Sequence, residues 1–314
     1  MPPNGGGTDL TGIFQEYINE CRFSECLRVE TIRGYENVFR LFKKIMPEVT
    51  TVESLNAGML NEFFKRICTR PRIVGKGEIR TGVKNSTIKT HYNKLNAFFL
   101  WLFRKDYIEK NPLADIKRPR VRYDDFRRLT DSEINKIYSA IVLHSSNSFT
   151  QRRNTAMVSL LVYCGLRKGE LVSLQVKDID VEKRTIVVRA ETSKSKRERT
   201  LKMHPTLVLH LKDYLKERNI RGMRTEHLLA SNRGDAGLSY EGLKHWVQDL
   251  NYKSGVKFHL HQLRHTFGCK LAEADVNLSK ISKMMGHVDV RMTAKYLRSL
   301  KTEDMEEDIG KISI

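Results

Sequence analysis

Residues 259–268, HLHQLRHTFG, place three histidines around one arginine near the end of a basic chain. If this stretch is helical, His261, Arg264 and His265 share one face of the helix. The apolar residues recur at helical spacing on another face, and they are Leu260, Leu263, Phe267 and Leu271. A polar face therefore lies opposite the side that packs on the core.

This polar face has three possible interpretations. His261, His265 and Cys269 have the spacing of a metal-binding edge, but the fixed charge of Arg264 opposes a second cation. A guanidinium flanked by imidazoles suits a phosphate better, because its fork donates two parallel hydrogen bonds to an anion. The third interpretation is a solvated surface that binds nothing.

The charge of the chain points to a polyanionic partner. The 314 residues have a formal net charge of +19, and 40% of them are hydrophobic, which is enough for real cores. Residues 1–122 carry 22 Lys and Arg against 13 Asp and Glu, and the remainder carries 34 against 24. Since both halves are basic, we expect two folded halves that hold double-stranded DNA between them. A generally basic, solvated surface is the alternative.

Other classes of protein fit the sequence poorly. The longest apolar runs, at 97–103 and 155–166, are too short for a membrane span and are expected to be buried helices. The first residues show no secretory signal, and the five cysteines lack CxxC spacing, which argues against a disulfide or zinc framework. We expect a cytoplasmic protein with no membrane partner, no metal and no other cofactor.

The first half has the pattern of a helical domain over residues 8–114, after a flexible lead-in at 1–7. No separate DNA-binding domain is expected before it. Residues 115–128 are charged and interrupted by proline, which is typical of an interdomain linker. Helices are predicted over 8–22, 29–46, 55–68 and 86–104, with a polar loop between the last two.

The second half has a mixed pattern. Thr130 with Glu133 gives a capping box, so a helix is predicted to begin there. A β-branched segment, KDIDVEKRTIVVRAETSKSKRERTLKM, predicts a small antiparallel sheet. Further helices are predicted over 131–143, 153–164, 168–174, 206–219, 239–251, 261–274 and 278–285. The fold class is therefore mainly α, of the α+β type, with a second domain at 129–298 and a tail at 299–314.

Two basic motifs in this half could act on phosphate. Arg167, in GLRKGEL, lies at the start of a predicted helix, although it could simply pair with Glu170. The segment SKSKRER offers Lys194 and Lys196, and either lysine could instead contact the DNA backbone from a solvated hairpin.

Two further candidates lie near the end of the chain. Gly286 is expected to stop the helix at 278–285 and to direct His287 into a cleft. Tyr296 follows nine residues later, and a lone tyrosine is ordinarily a core or surface residue.

Taken together, GLRKGEL, SKSKRER, HQLRH, MGH and the late tyrosine resemble the tyrosine recombinase (phage integrase) family in order and spacing. The resemblance covers residues 130–298, whereas residues 8–112 resemble the family's core-binding domain only in size, helix count and position. It implies a C-shaped grip on DNA, four protomers in a synapse, and a C-terminal segment exchanged between neighbours. Where the family has GKGxK this chain has SKSK, so the catalytic lysine is Lys194 or Lys196, and the alignment favours Lys194.

The resemblance also implies the chemistry. Arg167 and Arg264 would neutralise the charge that develops on the nonbridging oxygens of a phosphodiester. Tyr296 would attack the phosphorus and hold the strand as a 3′-phosphotyrosine, which allows religation without metal or ATP. The catalytic set is Arg167, Lys194, His261, Arg264, His287 and Tyr296.

Three of these residues would handle protons or hydrogen bonds. His261 would assist the tyrosine as a base, Lys194 would protonate the departing 5′-hydroxyl, and His287 would hydrogen-bond the phosphate. His259 and His265 are expected to be structural supports.

The expected activity is site-specific DNA recombination, by integration, excision, transposition or dimer resolution, and the sequence identifies no accessory protein. The alternatives are a type IB topoisomerase, which relaxes DNA without exchanging strands, and a DNA-binding factor without activity. Candidate DNA-backbone contacts are Lys76, Lys84, Lys89, Arg118, Arg120, Arg122, Lys196 and Arg197.

Overall fold

The computed structural model describes residues 9–75, 77–120, 128–193 and 196–294. The chain divides into two compact units between Asp124 and Asp125, and each unit has its own hydrophobic core. The described residues form eleven α-helices and five short strands. The predicted fold class, mainly α with a small antiparallel sheet, is confirmed.

The first unit contains four helices close to the predicted ranges. Side-chain caps fix where two of them begin, because the Asp9 carboxylate accepts the Gly12 N–H at 2.8 Å and the Asn56 side chain accepts the Met59 N–H at 2.9 Å. The helices are α1 (Leu10–Asn19), extended by a π-helical turn, α2 (Val29–Ile45), α3 (Ala57–Thr69) and α4 (Asn85–Arg104).

Aromatic rings fill the core of this unit. Phe14 of α1 stacks on Phe39 of α2 with ring centroids 3.7 Å apart, and Phe98 of α4 meets Phe14 edge-on at 5.1 Å. Tyr17 and Trp101 are buried beside them, 5.6 Å apart. Rings of this size dominate the burial energy of a small core, so they fix how the helices pack.

The stretch predicted as a polar loop between α3 and α4 differs from that prediction. It contains an antiparallel hairpin of β1 (Pro71–Val74) and β2 (Glu78–Thr81), in which Ile73 pairs with Ile79. Glycines at 75 and 77 have positive φ values, 56° and 97°, which such a tight turn requires. The first half is therefore not all-helical, because short β-branched runs flank this glycine turn.

The second unit begins with the predicted capping box. The Thr130 hydroxyl accepts the Glu133 N–H at 3.2 Å, and the Glu133 carboxylate accepts the Thr130 N–H at 3.0 Å. The helices of this unit are α5 (Asp131–His144), α6 (Ser148–Cys164), α7 (Lys168–Ser173), α8 (Pro205–Ile220), α9 (Tyr240–Ser254), α10 (Leu260–Glu273) and α11 (Leu278–Met285).

Helix α6 is the centre of this unit. Most of its side chains are buried, and it packs against α5, α8 and α10. The apolar run at 155–166 was predicted to be a buried helix, and α6 confirms this. Because α6 is buried, its carboxyl end lies inside the unit and not at the surface.

A three-stranded antiparallel sheet is formed by β3 (Ile179–Asp180), β4 (Thr185–Val188) and β5 (Arg199–Lys202) in that order. Ile186 of β4 and Leu201 of β5 are paired and both are buried. Of the residues between β4 and β5, the described ones are 189–193 and 196–198, and none of them is in a strand. The basic SKSKRER motif ends at Arg199, the first residue of β5.

The five cysteines lie in the described ranges, and none of them is in a disulfide. Within the described ranges, no helix combines the length and the apolar character needed to cross a membrane.

Candidate active site

Helix α10 starts immediately after His259, which caps it. The His259 ring accepts the Gln262 N–H at 3.2 Å, and the Gln262 side chain accepts the His259 N–H at 3.1 Å. His259 is thereby oriented by its place at the helix terminus.

The polar face of α10 is largely buried. Arg264 is 2% exposed and His265 is 6% exposed, whereas His261 is exposed and its ring meets that of His265 edge-on at 4.7 Å. The interpretation as a solvated surface is therefore wrong for Arg264 and His265. Among the described residues, no three His, Cys, Asp or Glu side chains form a group that could hold a metal ion.

Arg264 reaches the carboxyl ends of two other helices. Its Nη1 donates to the carbonyl oxygen of Gly165, after α6, and its Nη2 donates to the carbonyl oxygen of Met285, at the end of α11. Gly165 has a φ of 56°, and a Cβ atom there would lie 2.3 Å from the Phe267 ring. Only glycine allows α10 to pack this closely against the end of α6.

Arg167 immediately precedes α7, and its side chain also contacts the carboxyl end of α11. Its Nη1 lies 2.9 Å from a Glu170 carboxylate oxygen, so the simple pairing suggested by the sequence is present. Its Nη2 also donates to the carbonyl oxygen of Gly286 at 2.6 Å. The pairing with Glu170 therefore orients Arg167 toward the turn after α11.

Glu170 also binds a second arginine, which the sequence motifs did not identify. Arg199, at the start of β5, donates to both Glu170 oxygens at 3.0 and 2.7 Å. Burial alone would raise the pKa of Glu170, but hydrogen bonds and charge from Arg199 and Arg167 outweigh it and lower that pKa to about 2. One sequence signal existed, because Arg199 and the buried Leu201 are two residues apart and so share a strand face.

His287 follows the helix stop predicted at Gly286, which caps α11 with a φ of 63°. The His287 N–H donates to the Ser282 carbonyl oxygen at 2.9 Å, and its Nδ1 lies 2.8 Å from the Thr293 hydroxyl. Burial, followed by the positive charges of Arg264 and Arg167, lowers the pKa of His287 to about 4. The ring is therefore neutral near pH 7.

Two predicted catalytic residues, Lys194 and Tyr296, lie outside the described residues, as do Lys76 and Arg122 of the predicted DNA contacts. Lys196 is exposed and has a φ of 52°.

The other predicted DNA contacts are mostly at the surface. Lys84, Arg120 and Arg197 are exposed, and Lys89 of α4 is half-buried. Arg118 is exposed as well, and its Nε donates to the Asn93 side chain at 3.0 Å.

The site therefore gathers cationic and hydrogen-bonding groups around residues 285–287. Arg264 and Arg167 donate to consecutive carbonyl oxygens, and the neutral ring of His287 comes next in the chain. Such a cluster is suited to an anion with several oxygens, because its donors are held before the anion arrives.

Family models match both units of the chain. The model of the phage integrase family matches residues 127–303, and that of the phage integrase SAM-like domain matches residues 9–118. The class is that of the tyrosine-type, site-specific DNA recombinases. The chain belongs to the phage integrase family.

Two relatives agree with this membership. The tyrosine recombinase of Thermosipho africanus (strain TCF52B) is 27% identical over 281 residues, which are 87% of this chain and 93% of that protein. Tyrosine recombinase XerC of Escherichia coli O127:H6 is 26% identical over 227 residues, which are 69% of this chain and 71% of that protein.

Solved structures share the fold at low identity. The Tn1549 transposon integrase in complex with a circular intermediate DNA has a TM-score of 0.77 at 21% identity, over 98% of this chain and 100% of that chain. A lambda integrase dimer bound to a COC′ core site has a TM-score of 0.68 at 20% identity, over 92% of this chain and 77% of that chain.

Proposed function

We propose that this recombinase cuts and rejoins duplex DNA through a 3′-phosphotyrosine formed at Tyr296, without metal or ATP. The observation that carries the proposal is the convergence of Arg167, Arg264 and His287 at the carboxyl end of α11. Family membership supplies the class of reaction, and this cluster supplies a place for the scissile phosphate.

The two arginines bind and neutralise the phosphate. Each guanidinium is fixed in its plane by two protein acceptors, Glu170 and Gly286 for Arg167, and Gly165 and Met285 for Arg264. Preorganised donors of this kind stabilise developing charge without reorganising during the reaction.

His287 donates a hydrogen bond to the same phosphate. The Nδ1 contact to the Thr293 hydroxyl is compatible with a hydroxyl that donates to Nδ1. In that tautomer the neutral ring carries its proton on Nε2, which donates to a nonbridging oxygen. The low pKa of about 4 supports a neutral donor and not a third fixed cation.

The remaining steps need proton transfer. His261 is exposed on α10 and is oriented by the ring of His265, so we assign it as the base that assists the Tyr296 phenol. Lys194 is assigned as the acid that protonates the 5′-hydroxyl leaving group. The assignments of Lys194 and Tyr296 rest on the sequence motifs.

Binding is assigned to basic residues of both units, chiefly Lys84, Arg118, Arg120 and Arg197, which are exposed, together with Lys89, Lys196, Lys76 and Arg122. Phosphate contacts of this type hold a duplex without reading its sequence.

Strand exchange requires several protomers on the DNA, so we propose a tetrameric synapse. The tail at 299–314, acidic in its middle and apolar at its end, is proposed to dock on a neighbouring protomer. Sedimentation of the DNA complex, with and without this tail, tests both points.

The test of the function is trapping of the covalent complex. Wild-type protein and Tyr296→Phe are incubated with a nicked duplex that carries a target site selected from a random library by wild-type binding. On a denaturing gel, the wild type should give a protein–DNA adduct and Tyr296→Phe none, with similar DNA affinity, because only the attacking oxygen is removed. An adduct that persists would assign the nucleophile elsewhere. Relaxation of supercoiled DNA that lacks the site would favour a topoisomerase.

A further inference from the structure

The carboxyl end of α11 is held by three arginines. The last carbonyl groups of a helix have no partner within the helix, and they form its negative end. Here three consecutive carbonyl oxygens each accept a hydrogen bond from a different arginine. The pairs are Arg199 Nε with Met284 at 2.9 Å, Arg264 Nη2 with Met285, and Arg167 Nη2 with Gly286 at 2.6 Å.

Arg199 and Arg167 both contact the end of α11, and both also bind Glu170. The Glu170 side chain is 1% exposed, and its two oxygens accept from both guanidinium groups. A buried carboxylate with two cationic partners is compensated, whereas loss of one partner leaves the remaining charges poorly matched. The position of Arg167 therefore depends on Arg199.

The guanidinium groups of Arg199 and Arg167 also converge on one glycine. A Cβ atom at Gly286 would lie 2.9 Å from Arg199 Nη1 and 3.2 Å from Arg167 Nη1. The absence of a side chain allows both guanidinium groups to approach the turn, and His287 is the next residue.

Arg199 itself is poorly placed to touch DNA, because its side chain is 9% exposed and its donors are directed at Glu170 and Met284. We propose that Arg199 is a positioning residue for strand cleavage. It acts through Glu170 and the end of α11 to hold Arg167 in place for the phosphate. The inference rests on the proposed function of that site.

The variant Arg199→Lys tests the inference. Lysine keeps the charge, but one ammonium group cannot reproduce the planar fork that joins a carboxylate to a carbonyl oxygen. We expect single-turnover cleavage of the selected, nicked duplex to slow by about 10- to 100-fold, as for partners that orient a functional ligand. The affinity for the same duplex should stay within about twofold, since no DNA contact is removed.

A double-mutant cycle separates positioning from general stability. If Arg199 acts through Arg167, the double variant with Arg167→Lys and Arg199→Lys should cleave no more slowly than Arg167→Lys alone. Independent roles would instead multiply the two losses.

The matched control is Arg189→Lys. Arg189 also joins the sheet region to a buried carboxylate, Asp178, at 3.2 Å, and donates to the Ser173 carbonyl oxygen at 2.7 Å. The Arg189→Lys variant should lower the melting temperature as Arg199→Lys does, but it should leave the cleavage rate unchanged. If Arg199→Lys fails to fold, Glu170→Gln replaces it in the same cycle, because it keeps both arginines and removes the shared charge.

Wild-type cleavage through Tyr296 is established first, so the outcomes remain distinct. Loss of the wild-type adduct in Tyr296→Phe supports the function whatever Arg199 does. Multiplicative losses in the cycle, cleavage by Arg199→Lys at the wild-type rate, or an equal slowing in Arg189→Lys would overturn the inference.

Discussion

The described part of the first unit, at 9–75 and 77–120, buries no charged side chain, and aromatic rings fill its core. In contrast, the described part of the second unit buries five charged side chains, namely those of Arg153, Glu170, Asp178, Arg218 and Arg264. Buried charges destabilise a protein unless they are paired and hydrogen-bonded. The second unit therefore contains the buried charges from which the proposed site is built, whereas the described part of the first unit offers its charge only at the surface.

Burial alone does not distinguish Arg264, which is proposed to bind the phosphate, from other arginines of the second unit. Arg218 is 4% exposed and donates to the carbonyl oxygens of Met223 and Thr225, much as Arg264 donates to those of Gly165 and Met285. The difference lies in their neighbours, since Arg264 contributes to the low pKa of His287 and Arg218 does not. Comparison of the two units thus predicts which variants affect the rate and which affect only binding or stability.

The largest effect is expected for Lys194, in the SKSKRER motif of the second unit. Lys194→Ala should slow cleavage of normal DNA by about 10²- to 10⁴-fold, because an alkoxide leaves poorly without a proton donor. Sulfur at the 5′-bridging position should restore much of the rate, since a thiol with a pKa of about 8.5 leaves without help. Lys196→Ala should show a modest defect on both substrates. Rescue of Lys196→Ala in its place would transfer the role.

Next in size is Arg264→Lys, compared with Arg218→Lys. Loss of the guanidinium fork should slow single-turnover cleavage by about 10²-fold or more. Arg218→Lys should lower the melting temperature and leave the rate unchanged at temperatures where both variants are folded. Equal rates for the two variants would contradict the distinction between the arginines.

A smaller effect is expected for surface charges of the first unit. Replacing both Lys84 and Arg120 with glutamine should make the slope of log affinity against log salt concentration shallower by about 2. Each phosphate contact contributes about 0.9 to this slope. Cleavage of DNA that is already bound should not change. Lys105→Gln is the control, because Lys105 pairs with Glu20 at 2.9 Å. An unchanged slope in the double variant would remove both residues from the DNA contact.

The smallest effect concerns the pH dependence of stability. In the unfolded chain His287 binds a proton near pH 6.5, whereas in the folded protein its pKa is about 4. Between these values the unfolded state binds more protons, so the contribution of His287 to stability is present above pH 6.5 and is lost as the pH falls toward 4. Chemical denaturation at pH 7 and pH 5 should show a smaller loss for His287→Asn than for wild type, and equal losses would contradict the assigned pKa.

Much of this arrangement could be predicted from the sequence. Apolar spacing predicted the helices, the Thr130 and Glu133 pair predicted the start of α5, and Gly286 predicted the end of α11. The hairpin at Ile73 and Ile79 was missed because its β-branched runs are short. The glycines and charged residues among them give the whole stretch the composition of a polar loop.

The contacts within the site were less accessible. Arg199 contacts Met284, which is 85 residues away in the sequence, and Glu170, which is 29 residues away. Contacts at such separations produce no periodic pattern in the local sequence. Likewise, the sequence placed Arg264 on a polar face of α10 but gave no sign that this face is buried against the ends of α6 and α11. These features depend on tertiary packing, which motif spacing does not encode.

The position of the covalent bond between protein and DNA decides whether Tyr296 is the nucleophile. The adduct between wild-type protein and the nicked target duplex is digested with nuclease and protease, and the nucleotide-bearing peptide is sequenced by mass spectrometry. We expect a nucleotide 3′-phosphate on Tyr296 and a 5′-hydroxyl on the released strand. Attachment at another residue, or a 5′-phosphate linkage to the protein, would contradict it.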